Sequence, residues 1–141
     1  MSTKSRPVVI AHRGYSGKFP ENTLAAFFGA MEAGAQMIEL DVHLTKDGAL
    51  LVTHDFELGR TCNGRGLLSD HRSAELRSLD AGSWCAPRFQ NERFPVLGEV
   101  LAMAKGSVEL NIELKEETLT SETAYDSMAA KALELVSRHG M

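Results

Sequence analysis

Glu39 and Asp41 stand two residues apart in the stretch Met37-Ile38-Glu39-Leu40-Asp41-Val42-His43-Leu44. Strict alternation of apolar and polar residues marks a strand, whose side chains have period two. The two carboxylates therefore share one face, with Cα atoms roughly 6.5–7 Å apart, close enough to reach one cation. Two other segments end in related chemistry: His12-Arg13 follows Val8-Val9-Ile10-Ala11, and Glu113 and Lys115 close the alternating run from Val108. Glu39, Asp41 and Glu113 form a hard oxygen-ligand set suited to one divalent cation, Mg²⁺ or Ca²⁺ rather than zinc. His12 and His54 carry imidazoles that can act as general base and general acid near neutral pH. Arg13 and Lys115 add fixed positive charge for an anionic group. The combination suits cleavage of a phosphate ester, with the metal polarising a phosphoryl oxygen and templating the substrate. Singly, each residue has a plain structural reading. Glu113 and Lys115 can pair with each other, and Glu109, His43, His71 and His139 are read as solvated or structural.

These residues need elements that bring them together. Lys46-Asp47-Gly48 between two apolar alternating runs predicts a β-hairpin joining Met37–Leu44 to Leu50–Asp55. With Asp47 and Gly48 as the two central turn residues, Asp41 lies opposite His54, and both point to one face. Val8–Ala11 is a short continuous apolar run, the pattern of a strand buried on both faces of a parallel sheet. Asn22 is read as a helix N-cap, with Leu24, Phe27, Phe28 and Met31 as the buried face and Gly34 as the stop. Strand, helix and strand make a right-handed βαβ unit. Residues 56–95 are read as an ordered excursion over one end of the sheet, with an Asn63-Gly64 turn and a short helix over Ser73–Leu79. Its own aromatics, Trp84, Phe89 and Phe94, are expected to pack it. Leu97, Val100, Leu101 and Ala104 mark a second core helix. After a loop over 116–121, a final helix is expected from Glu122 to Arg138, buried through Ala124, Met128, Ala132, Leu135 and Val136.

Hydrophobic residues make up 43% of the 141 residues, enough for a core, and the formal net charge is −4. Such a chain has no electrostatic footprint for nucleic acid, so an anionic substrate needs a metal or local cations. Cys62 and Cys85 lack metal-ligand spacing and are read as free thiols. The segment before His12 has only five apolar residues, too few for a signal-peptide core. No run approaches the ~20 apolar residues of a membrane span, so a cytoplasmic location is expected.

His12-Arg13-Gly14, Glu21-Asn22-Thr23, Glu39-x-Asp41, Asp47-Gly48, His54-Asp55, Arg60-Thr61, Asn63-Gly64 and Glu113-x-Lys115 resemble, in order and spacing, the glycerophosphodiester phosphodiesterase family. Leu79-Asp80-Ala81-Gly82-Ser83-Trp84 is similar to its cytoplasmic bacterial branch. The resemblance implies a TIM (β/α)₈ barrel with an insertion near the hairpin. It implies hydrolysis of glycerophosphodiesters to glycerol 3-phosphate and an alcohol. It makes Glu39, Asp41 and Glu113 metal ligands, His12 and His54 the acid–base pair, and Arg13 and Lys115 phosphate-side cations. Such a barrel typically takes about 250 residues and eight strands. Three barrel strands and a hairpin arm are counted here, so the chain is expected to be one N-terminal partial domain, with possible self-association through open barrel edges. Two alternatives stand beside it: a phospholipase D-like lipid hydrolase of the same fold, and a partial-barrel binding module without turnover.

Overall fold

The computed structural model describes residues 6–115 and 122–141. Its frame is a four-stranded sheet centred on β2 (Met37–Leu44). β1 (Ile10–His12) runs parallel to the first half of β2, pairing His12 with Glu39. β6 (Glu109–Leu114) runs parallel along the opposite edge, pairing Asp41 with Glu113. β3 (Leu50–Val52) returns antiparallel against the last residues of β2 and shares the β1 side. Three parallel strands with an antiparallel arm are the sequence expectation, and they form the N-terminal part of a (β/α)₈ barrel.

The helices cover one face. α1 (Leu24–Glu32), α3 (Leu97–Ala104) and α4 (Glu122–His139) close a core in which Ile38, Leu40 and Val42 of β2 meet Phe27, Val100, Leu101 and Met128. On α4, Met128 and Ala132 are buried, and Leu135 and Val136 pack against the same cluster. The expected loop over 116–121 and the side chain of Ala124 lie outside the described residues. No helix among the described residues is long and apolar enough to cross a membrane.

Several expectations are corrected. The expected strand Val8–Ala11 is not buried on both faces: β1 begins only at Ile10, and Val8, Val9 and Ile10 are 58%, 57% and 49% exposed, because no described strand lies on its far side. Asn22 is not the cap of α1. Thr23 takes that role, its hydroxyl accepting from the Ala26 amide, while Asn22 adopts φ 56° and turns inward. Phe28 is half exposed, and Ala26 and Ala30 complete the buried face instead.

The hairpin register also differs by one residue. The Thr45 amide donates to the Ala49 carbonyl, so three residues span the turn, and Gly48 takes the left-handed conformation at φ 78°. This is the three-residue hairpin loop, whose last position favours glycine. Val42 then pairs with Val52, and the Thr53 amide donates to the Asp41 carbonyl, so Asp41 faces Thr53 rather than His54.

The excursion 56–95 holds a two-stranded ribbon, β4 (Glu57–Leu58) with β5 (Gly66–Leu67), and a single turn of helix, α2 (Ser73–Leu76). Its core is mainly aliphatic: Leu68, Leu76 and Ala81 gather with Cys62 and Phe94 around Leu51 of β3. Trp84 stays 43% exposed, and Phe89 packs on Phe19, so aromatics are not its main packing. Cys62 and Cys85 are both free thiols.

Candidate active site

Parallel pairing puts matched residues of neighbouring strands side by side, about 4.8 Å apart, on one face. Asp41 beside Glu113 and Glu39 beside His12 are such pairs. The helices take the even-numbered residues of β2, so Glu39, Asp41 and His43 point to the face that is the inside of the barrel. Ligand atoms of Glu39, Asp41 and Glu113 lie within 4.8 Å of one another. Asp41 is 1% exposed and Glu39 7%.

The cluster is held by loops at the strand ends. The Arg13 amide donates to Glu39 Oε2 at 3.0 Å, and the Arg13 guanidinium stands 3.4 Å from Asp41 Oδ2. Arg13 reaches these positions at φ 58°, followed by Gly14 at φ 80°. A Cβ on Gly14 would lie 2.7 Å from the backbone of Ala26, so only glycine lets α1 approach this turn. Left-handed backbone at a non-glycine residue concentrates at functional sites. Asn22 Nδ2 donates to Asp41 Oδ2 at 2.9 Å and its Oδ1 accepts from the Asp41 amide at 3.4 Å, clamping that residue from both sides. Lys115, just beyond β6, places Nζ 3.1 Å from Asp41 Oδ1 and 2.7 Å from Glu113 Oε1.

Burial pushes the Glu39 carboxyl up, and the neighbouring Asp41 charge pushes it further. Burial alone would lower the Lys115 ammonium, but hydrogen bonds and charge from Glu113 and Asp41 outweigh it and raise it. Glu39 Oε1 is buried without a hydrogen-bond partner. A crowded acid with a free buried oxygen, beside two further carboxylates, fits a hard divalent cation.

The two histidines enter differently. His12 is exposed, with Nε2 3.8 Å from Glu39 Oε2. Among the described residues, the His54 ring forms no ion pair with Glu39, Asp41 or Glu113. Its Nδ1 hydrogen-bonds Asp55 Oδ1 at 2.7 Å. Asp55 accepts from Arg60, Arg60 also donates to Glu21, and Glu21 accepts from Arg13 at 3.0 Å. Hydrogen bonds from Arg60 hold the Asp55 carboxyl at about 2. Burial pushes Glu21 up, but Arg60 and Arg13 outweigh it and keep it below its ordinary value. His43 is fully buried, and its Nε2 lies 2.8 Å from the His54 carbonyl oxygen, so it supports the segment that carries His54.

Thus the seven candidate residues lie in one connected network. Asn22, Glu21, Asp55, Arg60 and His43 belong to it too. The first four stand inside the fragments that carry the family resemblance, but their partners are distant in sequence.

A fold and site of this kind define the N-terminal part of a (β/α)₈ barrel with an acidic, cation-ready centre. Residues 12–141 match the model of the glycerophosphoryl diester phosphodiesterase family, and the chain belongs to that family. A glycerophosphodiester phosphodiesterase of Caldanaerobacter subterraneus is 50% identical over 111 residues, covering 78% of this chain and 46% of that protein. The crystal structure of glycerophosphodiester phosphodiesterase from Agrobacterium tumefaciens superposes with a TM-score of 0.86 at 38% identity, covering 96% of this chain and 55% of that one. An Oleispira antarctica phosphodiesterase, in complex with the product sn-glycerol-3-phosphate, does so with a TM-score of 0.86 at 40% identity, covering 94% and 53%. The chain spans about half the length of the relatives it matches.

Proposed function

We propose that the complete protein hydrolyses glycerophosphodiesters to glycerol 3-phosphate and an alcohol, with one divalent cation held by Glu39, Asp41 and Glu113. The observation that carries this reading is the three-carboxylate cluster flanked by Lys115 and Arg13. The glycerol 3-phosphate bound to the Oleispira relative supports the substrate class. Bound there, Mg²⁺ or Ca²⁺ would supply Lewis-acid polarisation of a phosphoryl oxygen. Arg13 and Lys115 neutralise the phosphate charge that the acidic cluster would otherwise repel. His12, exposed beside Glu39, is placed to take a proton at Nε2 from the attacking group. His54, with Nδ1–H committed to Asp55, gives a proton from Nε2 to the leaving alcohol in its imidazolium form and is left as the neutral Nδ1–H tautomer.

His12→Ala and His54→Ala in the full-length protein are expected to lower kcat on glycerophosphocholine by about 10²–10⁴-fold. Wild-type turnover in both would sink the assignment. Turnover of sphingomyelin but not of glycerophosphocholine would instead select the phospholipase D-like reading.

A further inference from the structure

We propose that Arg60 is a positioning residue that ties the proton donor His54 to the phosphate-binding Arg13, so that both ends of the substrate phosphate meet one rigid unit. The inference rests on the roles given above to His54 and Arg13. Its observation is the way one guanidinium is used. Arg60 Nε and Nη2 donate to Asp55 Oδ2 and Oδ1 at 2.5 and 2.9 Å. Arg60 Nη1 and Nη2 donate to Glu21 Oε2 and Oε1 at 3.0 and 2.7 Å. Each carboxylate is thus gripped by two N–H bonds, the geometry that fixes orientation as well as distance.

The two acids come from different places. Glu21 belongs to the segment between β1 and α1, and Asp55 follows β3. Each hands its other contact to a residue of the proposed chemistry: Glu21 to Arg13 Nη1, Asp55 to His54 Nδ1. Removing the guanidinium would leave Glu21 held by Arg13 alone and Asp55 by the His54 ring alone, and each carboxylate would be free to swing about its one remaining partner. Arg13 and His54 would then drift independently.

The plain alternative is a surface ion pair. The Arg60 side chain is 48% exposed, and exposed ion pairs contribute little to stability. A pair of that kind would affect stability slightly and chemistry not at all. Glu21 and Asp55 are less exposed, at 13% and 23%, so the ends being held are the sheltered ones. Lysine cannot replace the fork, because an ammonium is a point charge.

The test compares wild type, Arg60→Gln and Arg60→Lys in the full-length protein, with ¹⁵N NMR of the His54 ring beside steady-state kinetics on glycerophosphocholine. In the wild type, neutral His54 is expected as the single Nδ1–H tautomer. Both variants should show a mixture with the Nε2–H form, lower kcat by about 10- to 100-fold and raise KM, because both ends of the clamp loosen. An unmixed tautomer with unchanged kcat and KM in Arg60→Gln, whatever its Tm, would overturn the proposal. So would full rescue by Arg60→Lys. If the wild type does not turn over glycerophosphocholine, the functional reading fails on its own, and the tautomer comparison still decides the role of Arg60.

Discussion

Glu39, Asp41 and Glu113 are carried by two hydrogen-bonded strands, whereas His54, Asp55, Arg60 and Glu21 are carried by loops and hold one another by charge. The strand half is positioned by backbone ladders and by the packed layer of Ile38, Leu40 and Val42 beneath it. It accepts an unfavourable electrostatic arrangement, since Glu39 is pushed up by burial and by Asp41. The loop half has the opposite character. Its acids are satisfied by arginines, and Asp55 and Glu21 are both held low. A rigid scaffold can keep acids crowded for a cation, while a loop must supply its own counter-charges to stay in place.

The largest expected effect breaks the strand half. Lys115 is mostly buried between Asp41 and Glu113, and Lys115→Met leaves Asp41 without its nearest ammonium. Removing one partner of a buried charge pair typically destabilises by about 3–5 kcal/mol. Urea unfolding in the presence of chelator would measure it. A variant as stable as wild type would show that the Arg13 charge and the Asn22 hydrogen bond suffice to hold Asp41.

Cation binding sharpens the same contrast. At 100 times its Kd, Mg²⁺ or Ca²⁺ should stabilise the folded protein by about 2.7 kcal/mol. Glu39→Gln should lose that increment. It should not weaken the cation-free protein, because it removes the carboxylate that burial and Asp41 oppose. A Tm that ignores both ions in wild type would count against the carboxylate cluster as a metal site.

The smallest effect belongs to the loop half and is read by pH. The Asp55 carboxyl is depressed from 3.8 to about 2 by Arg60 and His54. A depressed carboxyl adds stability above its unfolded value and loses it as pH falls through the folded one. Its contribution is therefore complete above about pH 4 and fades toward pH 2. Asp55→Asn should flatten that part of the stability curve, and an identical acid limb in the variant would refute the coupling.

Periodicity and short-range geometry made the strand faces and helix stripes legible in the chain itself. Period two put Glu39 and Asp41 on one face of β2, Glu113 on the matching face of β6, and apolar residues beneath both. The core positions of α3 and most of those of α4 were legible for the same reason, as a 3.6-residue stripe. Tertiary structure alone decided which residues meet across long separations. Asn22 looks locally like a cap, yet a left-handed backbone sends it to Asp41 while Thr23 takes over α1. The hairpin register turned on one extra loop residue, which the dipeptide Asp47-Gly48 cannot specify. Arg60 meets Glu21 across 39 positions, a distance over which no local pattern constrains a side chain. Hydrophobic period is set by neighbours a few residues away, but a polar loop residue finds its partner only when the whole chain has folded.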